Sequence, residues 1–596
     1  MFFLPESSLW ALVCLPAAAG AALVLGRPRR RSAAAVSIVV SVLVVALSVA
    51  VASTRPRVGV AFMAGTQFGM GVDGLSAALV PAVAVVTALV LLFAVGDRAV
   101  AGARFHGYML LFAAAAMLTA TATTLPTLLL AWEVMGALSY ALIGYRWQDA
   151  HRISAGLTAF LTTRCADLGL YLAAGAALAG GAGLALEDLR DASPGWRHVI
   201  AAGLLVAALG KAAQLPFSFW LARAMEGPSP VSALLHSAAM VAMGGYLLLR
   251  VSPLLAATGW AAPAAVWLGA LTAIALGLVA IAQRDLKQLL AASTSAQLGF
   301  VVMAAGLAAT GGGAAQLIAH AFTKAGLFLA AGAWLALLGS KKLDDLQGAA
   351  RRWPVVGVTA TVSALALAGV APLSLWATKD AVLAVALDRS VWWYAAGLLA
   401  TALSAAYAGK ILLVVWRPVP GGDAVDATPG AGEQISLVVL ALGAAAAGVL
   451  TVPPWGIAES APVTELVGSA VLAAVVVLAV LRWGVPEPRW ARSWLGLEAA
   501  AHRVVVRPVL RLADALARFD DRVLDRAVET TATATVTVAR GADRADHRGV
   551  DGAVEASAAL IRRSGQLARR PQTGQLHQYY MAAAVLVVVA VLLLLT

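Results

Sequence analysis

The chain has 596 residues, of which 61% are hydrophobic and only 12% are charged, and its mean hydropathy is +0.85. Soluble domains carry about 25% charged residues, so a soluble enzyme, a disordered regulator and a fibrous protein are all excluded. Apolar stretches of about 18 or more residues recur from end to end, each long enough to cross a hydrocarbon core of about 30 Å. The composition therefore predicts an all-α polytopic membrane protein.

About sixteen apolar segments can be assigned as membrane spans, numbered here in chain order. They lie near residues 8–26, 33–53, 75–95, 107–123, 125–145, 156–179, 198–219, 229–249, 262–283, 288–308, 314–338, 355–382, 391–416, 434–453, 463–482 and 579–596. The first is interpreted as a retained span and not a cleaved signal peptide, because apolar segments follow it immediately.

The distribution of positive charge predicts the orientation in the membrane. The net charge is +12, and the basic residues lie in short loops and one long tail, where they indicate membrane orientation and contact with anionic lipid headgroups but no nucleic acid. Loops after odd-numbered spans carry about sixteen Lys and Arg residues, and loops after even-numbered spans carry about six. The positive-inside rule then places the odd loops in the cytoplasm and both termini outside.

Residues 485–577 are polar, rich in Arg and too long for a loop. Apolar residues repeat within them at helical spacing, namely Leu512, Leu516, Phe519 and Val523. This pattern predicts a cytoplasmic lateral amphipathic helix along the membrane surface, bent or interrupted at Pro508 and Gly541 and anchored by a last span in 578–596. The helix could brace other membrane subunits or simply rest on lipid.

Two short segments repeat each other. Leu215–Trp220 reads LPFSFW and Ala371–Trp376 reads APLSLW, with Lys211 before the first and Lys379 after the second. Proline breaks a helix inside a span, and broken helices at matching positions of two halves are typical of transporters built from repeats. We therefore expect two inverted five-helix repeats. The predicted division is 1–106 for the N-terminal spans, 107–250 and 251–416 for two half-channel repeats, 417–484 for further spans, 485–577 for the lateral helix and 578–596 for the anchor.

Lysine is used sparingly and in unusual places. Of 43 basic residues only seven are Lys, yet Lys211, Lys324, Lys379 and Lys410 fall within apolar spans. A buried lysine can release its proton, whereas arginine keeps its charge. We therefore interpret the first three as proton carriers, and we expect Lys410, close to the end of its span, to extend to the interface.

The acidic residues supply predicted partners. Glu133 is the only glutamate well inside a span, and Lys211 is its predicted counter-charge. Arg164 and Asp167 are three residues apart and are predicted to pair on one helical face. That pair is either a fixed structural contact or one that exchanges partners.

Histidines extend the polar set. His320 precedes Lys324 by four residues, with Gln316 one turn earlier, which predicts a polar stripe suited to passing protons through hydrogen bonds and water. His236 is expected to lie between the helices of Lys211 and Lys324. A metal site is not expected, since these helices offer no second ligand at the right spacing.

Five segments carry a resemblance to a known family. They are KAAQLPFSFWLARAMEGPSPVSALLHSAAMV (211–241), RDLKQLLAASTSAQLGF (284–300), IAHAFTKAGLFLAAG (318–332), LALAGVAPLSLWATKDAVL (365–383) and AWEVMGALSYALIGY (131–145). Together they resemble the antiporter-like proton-channel subunits of respiratory complex I and of Mrp-type cation/proton antiporters. RRPQTGQLHQYY (569–580), after a lateral helix and before a last span, resembles the end of the family's L-type subunits.

The resemblance implies a proton-translocating membrane subunit of NADH:quinone oxidoreductase in a bacterial plasma membrane. It implies no cofactor in this chain, with flavin, iron–sulfur clusters and quinone in partner subunits, and contact with a neighbouring antiporter-like subunit and membrane lipids. It also assigns roles along a proton pathway: Glu133 and Lys211 in the first half-channel, His236 on the connecting axis, His320 and Lys324 at the centre, Lys379 and Asp380 in the second half-channel, Arg164 and Asp167 as an ion pair, and Lys287 as a lysine at the start of the tenth span.

Three positions depart from the family pattern. Gln316 stands where His is frequent, Ala222-Arg223 replaces Pro-Asp, and Thr378 replaces Ser. Two other functions stay open at this point. One is a cation/proton antiporter or ion-coupled transporter, such as a membrane partner of an inorganic-carbon uptake protein. The other is a largely structural subunit, in which the polar residues do no work.

Overall fold

A computed structural model describes residues 5–62, 65–97, 100, 102–418, 428–452, 456–458 and 460–596. The described chain is almost entirely helical and forms two compact units, residues 1–499 and 500–596. Its α-helices are α1 (Pro5–Gly26), α2 (Arg30–Thr54), α3 (Gly74–Gly96), α4 (Ala103–Thr121), α5 (Leu125–Ile143), α6 (Ala150–Ala179), α7 (Pro194–Lys211), α8 (Phe219–Ala224), α9 (Ser229–Leu235), α10 (Met240–Arg250), α11 (Ser252–Thr258), α12 (Ala261–Ala282), α13 (Leu286–Gly306), α14 (Thr310–Leu338), α15 (Ala349–Arg352), α16 (Pro354–Ala368), α17 (Ser374–Arg389), α18 (Val391–Trp416), α19 (Ala431–Ala446), α20 (Val463–Trp483), α21 (Leu497–Ala501), α22 (Arg507–Phe519), α23 (Asp525–Ala545), α24 (Gly552–Arg569) and α25 (Leu576–Leu595).

The polytopic all-α architecture is confirmed. Each predicted span coincides with a helix or with a pair of helices separated by a break. Among the described residues, twelve helical segments are long and apolar enough to cross a membrane. Two of them, Ser229–Arg250 and Leu286–Gly306, are enclosed on every side by other helices. They form the centre of the first unit.

Both predicted helix breaks are present. The first separates α7 from α8, and the second separates α16 from α17, at the two proline-containing motifs. Gly369 ends α16 with φ +83°, a left-handed conformation that favours glycine. A third break lies between α9 and α10, at His236–Ala239, where the sequence has neither proline nor glycine to indicate it.

Close packing of two helices positions the first part of the site. Gly169 of α6 and Gly203 of α7 face each other so tightly that a Cβ on either would collide with the carbonyl oxygen of the other. Only glycine permits this approach. It brings Asp167, two residues before Gly169, against the helix that ends at Lys211.

A small antiparallel hairpin lies between the second and third spans, where the sequence predicted only a loop. It joins β1 (Arg57–Ala61) to β2 (Gln67–Gly71), with Gly59 opposite Gly69. Successive spans are antiparallel, so loops after even-numbered spans share one face of the unit, called here the even face, and loops after odd-numbered spans share the odd face. The hairpin belongs to the even face.

Short helical turns follow α20 and close the first unit. They cover Arg489–Ala491 and Trp494–Gly496, and Ala491 and Trp494 are buried. This segment was predicted to begin the lateral helix. It packs instead on the odd face, beside Gln283 and α12.

The second unit is a long helix followed by an apolar one. The backbone is helical from residue 500 to Arg569, with wider turns at His502–Val506, Asp520–Leu524 and Asp546–Asp551, which gives a rod about 100 Å long. It runs without interruption through Pro508 and Gly541, so neither residue interrupts the helix, and a bend at either one stays a prediction. Pro508 lies in the first turn of α22, beside a wide turn, where its missing N–H costs little.

Candidate functional site

Five of the ionisable residues singled out in the sequence are almost completely enclosed in the first unit. The exposed fraction is 0% for Lys211, His236, His320 and Lys324 and 1% for Lys379. A charged side chain at the centre of a membrane span costs at least about 2.5–3.5 kcal/mol. Each of these groups must therefore be held by polar partners, and those partners define the site.

Lys211 pairs with Asp167. The Lys211 ammonium donates to Asp167 Oδ2 at 3.2 Å, and Trp132 Nε1 donates to the other carboxylate oxygen at 2.6 Å. The ammonium also lies 5.1 Å from the centre of the Trp132 ring, within range of a cation–π contact. A lysine, a carboxylate and an indole thus form one buried cluster.

Glu133 pairs with Arg164 instead of Lys211. Its carboxylate forms an ion pair with the Arg164 guanidinium and accepts a hydrogen bond from Tyr171 Oη at 3.0 Å. The Glu133 side chain is 24% exposed and that of Arg164 is 36% exposed, so this pair lies nearer the periphery of the unit. The predicted pairs Glu133–Lys211 and Arg164–Asp167 are both wrong, because the four groups pair crosswise.

Helix geometry explains why the observed pairs differ from the predicted ones. Adjacent residues on a helix point about 100° apart, so Trp132 and Glu133 cannot both face Lys211. Trp132 does, and so does Gly136 one turn later, where an added Cβ would be 3.4 Å from the lysine nitrogen. Glu133 is turned toward α6, where it meets Arg164.

His236 lies at the break between α9 and α10. Its ring is 5.9 Å from that of Trp220 in α8 and 6.5 Å from that of Phe328 in α14. Phe328 is one turn from Lys324, so His236 lies between the Lys211 and Lys324 spans, as predicted. Both its ring nitrogens lack a hydrogen-bond partner in the described part of the chain.

His320 and Lys324 occupy the centre of the unit. His320 Nδ1 lies 3.1 Å from the carbonyl oxygen of Ser237, inside the break that begins at His236. The Lys324 ammonium donates to Leu290 O at 3.2 Å and to the Ser293 hydroxyl. Among the ion pairs of the described residues, none includes Lys324, so only neutral groups hold its nitrogen.

An amide layer follows on the same helix face. Gln316 donates to Gln297 Oε1 at 3.1 Å and accepts from the Thr378 hydroxyl at 2.6 Å. Gln297 in turn donates to Ser404 Oγ at 2.5 Å and to Tyr407 Oη at 2.7 Å. The departure at Gln316 therefore belongs to a connected network that joins α14, α13, α17 and α18.

Lys379 occupies the second broken span. Its ammonium lies 3.4 Å from Leu367 O, at the end of α16, and 5.9 Å from the centre of the Phe300 ring. A Cβ on Gly369 would approach the same nitrogen to 3.0 Å. Asp380 turns toward α20, where it accepts a hydrogen bond from Ser469.

Lys410 is held at the odd-face end of α12. Its side chain is only 6% exposed, and its ammonium donates to the carbonyls of Ile281 and Gln283 at 2.7 and 2.8 Å and to Glu487 Oε1 at 2.8 Å. The carbonyls at the end of α12 have no partner within the helix, so they attract a cation. That Lys410 extends to the interface stays a prediction.

Glu487 connects this contact to the odd face. It also accepts from Arg284 at 3.0 Å and from Arg492 at 2.8 Å. Burial acts to raise the pKa of Glu487, but the hydrogen bonds and charges of Lys410 and Arg284 outweigh it and hold that pKa below its usual range. No local pattern indicates this network, since Arg284 and Lys410 lie 203 and 77 residues from Glu487 along the chain.

Arg223 has a partner that explains its departure from the family pattern. Its guanidinium donates to both carboxylate oxygens of Glu498, at 2.7 to 3.0 Å. Glu226, its acidic neighbour in sequence, lies 3.6 Å from Lys341 instead. The Arg223–Glu498 pair ties the first broken span to the segment after α20.

A cavity of about 370 Å³ on the odd face ends at Lys287. Lys287 is 2% exposed and donates to Gly227 O at 2.7 Å. Glu226, Lys341 and Arg152 line the same cavity. A buried amine is therefore accessible from the odd face near the His236 break.

Residues 122–404 match the family described as NADH:quinone oxidoreductase/Mrp antiporter, TM. The chain is 32% identical over 556 residues to the NADH-quinone oxidoreductase subunit L of Mycobacterium tuberculosis, an alignment that covers 87% of this chain and 84% of the relative. It is 33% identical over 392 residues to the subunit L of Neisseria meningitidis, with 60% and 58% of the two chains covered.

Solved structures share the fold. A chain of the Mrp complex from Dietzia sp. DQ12-45-1b superimposes with a TM-score of 0.75 at 23% identity, over 90% of this chain and 63% of that one. A chain of respiratory complex I from Thermus thermophilus with bound NADH superimposes with a TM-score of 0.67 at 24% identity, over 78% of this chain and 99% of that one. The extent of the match to subunit L decides the assignment, and this chain belongs to the family of antiporter-like membrane subunits that NADH-quinone oxidoreductases share with Mrp antiporters.

Proposed function

We propose that this chain is the L-type proton-translocating membrane subunit of an NADH:quinone oxidoreductase. The observation that carries the proposal is the buried row of Lys211, His236, Lys324 and Lys379, which spans both broken spans, the α9–α10 break and α14. Such a row is costly in a membrane, and it supplies groups that can both hold and release a proton.

The row would work by electrostatic coupling between neighbours. A positive charge that arrives beside Asp167 weakens the attraction between the Asp167 carboxylate and the Lys211 ammonium. Lys211 then passes its proton inward more easily. His236 and His320 offer nitrogen atoms at the break that separates Lys211 from Lys324. Lys324 has neutral partners only, so its protonation responds strongly to charge on either side.

Two half-channels would share this work. We assign residues 107–250 to the first and residues 251–416 to the second, with Lys324 at the junction. The cavity above Lys287 offers water access from the odd face, and the loop charges assign that face to the cytoplasm. Both termini would then lie outside, and the membrane would be the bacterial plasma membrane.

Redox chemistry would reside in partner subunits. We propose that this chain holds no flavin, iron–sulfur cluster or quinone, and that it contacts a neighbouring antiporter-like subunit. Quinone reduction elsewhere in the complex would drive the change of charge that begins the sequence of proton movements.

Two measurements test the proposal. A tagged chain extracted in mild detergent should bring with it the other membrane subunits and the flavin and iron–sulfur arm, identified by mass spectrometry. Inverted membrane vesicles should acidify on addition of NADH, and Lys324→Met should reduce this acidification while the complex still assembles. Recovery of the chain with a single soluble partner would favour an ion-coupled transporter. The fold similarity to the Mrp chain is the observation consistent with that function.

A further inference from the structure

A second cavity, of about 400 Å³, opens on the even face. Its walls come from the loops after the second, fourth, sixth and eighth spans, represented by Asp73, Thr123, Glu187 and Arg250. Under the orientation proposed above, this cavity faces the outside. It therefore lies at the outer end of the first half-channel, where a proton could leak back.

Arg250 is a largely buried residue in the lining of this cavity. Its side chain is only 13% exposed and lies 3.3 Å from Asp73 Oδ2. Its guanidinium also donates to the Tyr246 hydroxyl at 2.7 Å. Asp73 is itself fixed, because it caps α3 and accepts from the backbone N–H of Ser76 at 2.9 Å.

Tyr246 is the buried residue on which the Arg250 guanidinium rests. It is 2% exposed, and its hydroxyl donates to Ala120 O at 2.5 Å. Between Tyr246 and the start of α10 the helix carries only apolar residues, and Met240 and Met243 among them are fully buried. His236 itself lies four residues before the start of α10, at the break.

A fixed arginine at a narrow point opposes proton passage. Arginine keeps its charge at every physiological pH, so it repels a hydrated proton without ever accepting one. Positive groups exclude protons and cations from water-conducting pores in the same way. Asp73 offsets part of this charge, but its main effect is to hold the guanidinium across the cavity floor.

We propose that Arg250, with Tyr246 and Asp73 as positioning residues, is a fixed-charge seal at the outer end of the first half-channel. The seal prevents protons from returning through α10 to His236 and directs their release to the second half-channel. This inference rests on the proposed function, since a seal has a purpose only in a chain that moves protons.

Passive proton leak tests the seal directly. Inverted membrane vesicles carrying the whole complex would be given an imposed pH gradient with NADH absent and quinone reduction inhibited. Arg250→Gln should dissipate the gradient several-fold faster than the unaltered complex, whereas Arg250→Lys, which keeps a positive charge but can release a proton, should leak at a rate between the two. The matched control is Arg57→Gln, which removes a 68% exposed arginine from the rim of the same cavity and should leave the leak unchanged.

The outcomes separate two kinds of failure. An unchanged leak in assembled Arg250→Gln complex overturns the seal. If that variant fails to assemble, Tyr246→Phe decides, because it removes only the hydroxyl that holds the guanidinium: a faster leak supports the seal and an unchanged leak overturns it. NADH-driven acidification is recorded in the same vesicles, and its absence from the unaltered complex would overturn the proposed function instead.

Discussion

The Lys211 ammonium and the Asp167 carboxylate lie 3.2 Å apart, and both side chains are buried. Breaking a buried ion pair by removing one partner typically costs about 3–5 kcal/mol, because the other charge is left without compensation. Asp167 is therefore the counter-charge of Lys211. Glu133 acts indirectly, because it holds Arg164, which lies on α6 three residues from Asp167.

A double-mutant cycle tests this arrangement. Asp167→Asn should abolish most NADH-driven acidification in assembled complex, because Lys211 would lose its counter-charge. Glu133→Gln frees Arg164 to compete for Asp167, so it should also reduce acidification. The double variant should lose no more than Asp167→Asn alone. If the fractional activities of the two single variants multiply to give that of the double variant, the two pairs act independently.

Lys324 must be able to lose its proton, not merely to carry charge. Lys324→Arg preserves the positive charge but cannot release a proton at physiological pH, and Lys324→Met preserves the volume without the charge. Both should lose acidification. Lys324→Met should also raise the thermal stability of the complex, since it removes an unpaired amine from the interior. Normal acidification in either variant would favour a structural role for the polar row.

The Gln316 amide should be needed for the position of Lys379. Gln316→Leu leaves Gln297 Oε1 without its donor, at a cost of about 1–3 kcal/mol, and leaves the Thr378 hydroxyl only its 3.2 Å bond to Ser374 O. We expect lower thermal stability and reduced acidification, since Thr378 directly precedes Lys379. Gln316→His, which can accept from Thr378, should retain acidification. Equal activity of the Leu and His variants would contradict this assignment.

The Arg223–Glu498 contact should behave as a reversible charge pair. The two side chains are 42% and 30% exposed, so solvent screening limits the contribution of the pair to about 0–1 kcal/mol. Arg223→Glu should nonetheless loosen the segment after α20, because it places two carboxylates together, and limited proteolysis would show faster cleavage between residues 484 and 499. The swap Arg223→Glu with Glu498→Arg should restore resistance. Persistent cleavage in the swap would mean that the contact is incidental.

Glu487 predicts a pH dependence for the same segment. Its pKa is lowered in the folded chain, so its contribution to stability is fully present above its ordinary pKa of about 4.5 and is lost as the pH falls through the lowered value. Proteolysis of residues 484–496 should therefore increase only below about pH 4.5. Glu487→Gln should increase cleavage at neutral pH and remove the acid-induced change. An unaltered pH profile in that variant would assign the transition to another group.

The sequence by itself determined the class of protein, the positions of the spans and the broken helices at Pro216 and Pro372. These features depend on local composition: apolar length sets a span, and proline removes a helical hydrogen bond wherever it occurs. It also identified the buried lysines, because lysine is scarce elsewhere in the chain. Both kinds of evidence are visible without knowing which helices touch.

Only the tertiary structure decided which charges pair. The sequence placed Glu133 with Lys211, but the rotation of α5 turns Trp132 and Gly136 toward the lysine, and the close packing of Gly169 on Gly203 brings Asp167 to it. Arg223 and Glu498 are likewise 275 residues apart, and no local pattern connects them. Partner choice depends on helix rotation and crossing distance to within a few ångströms, and these are set by packing over the whole unit.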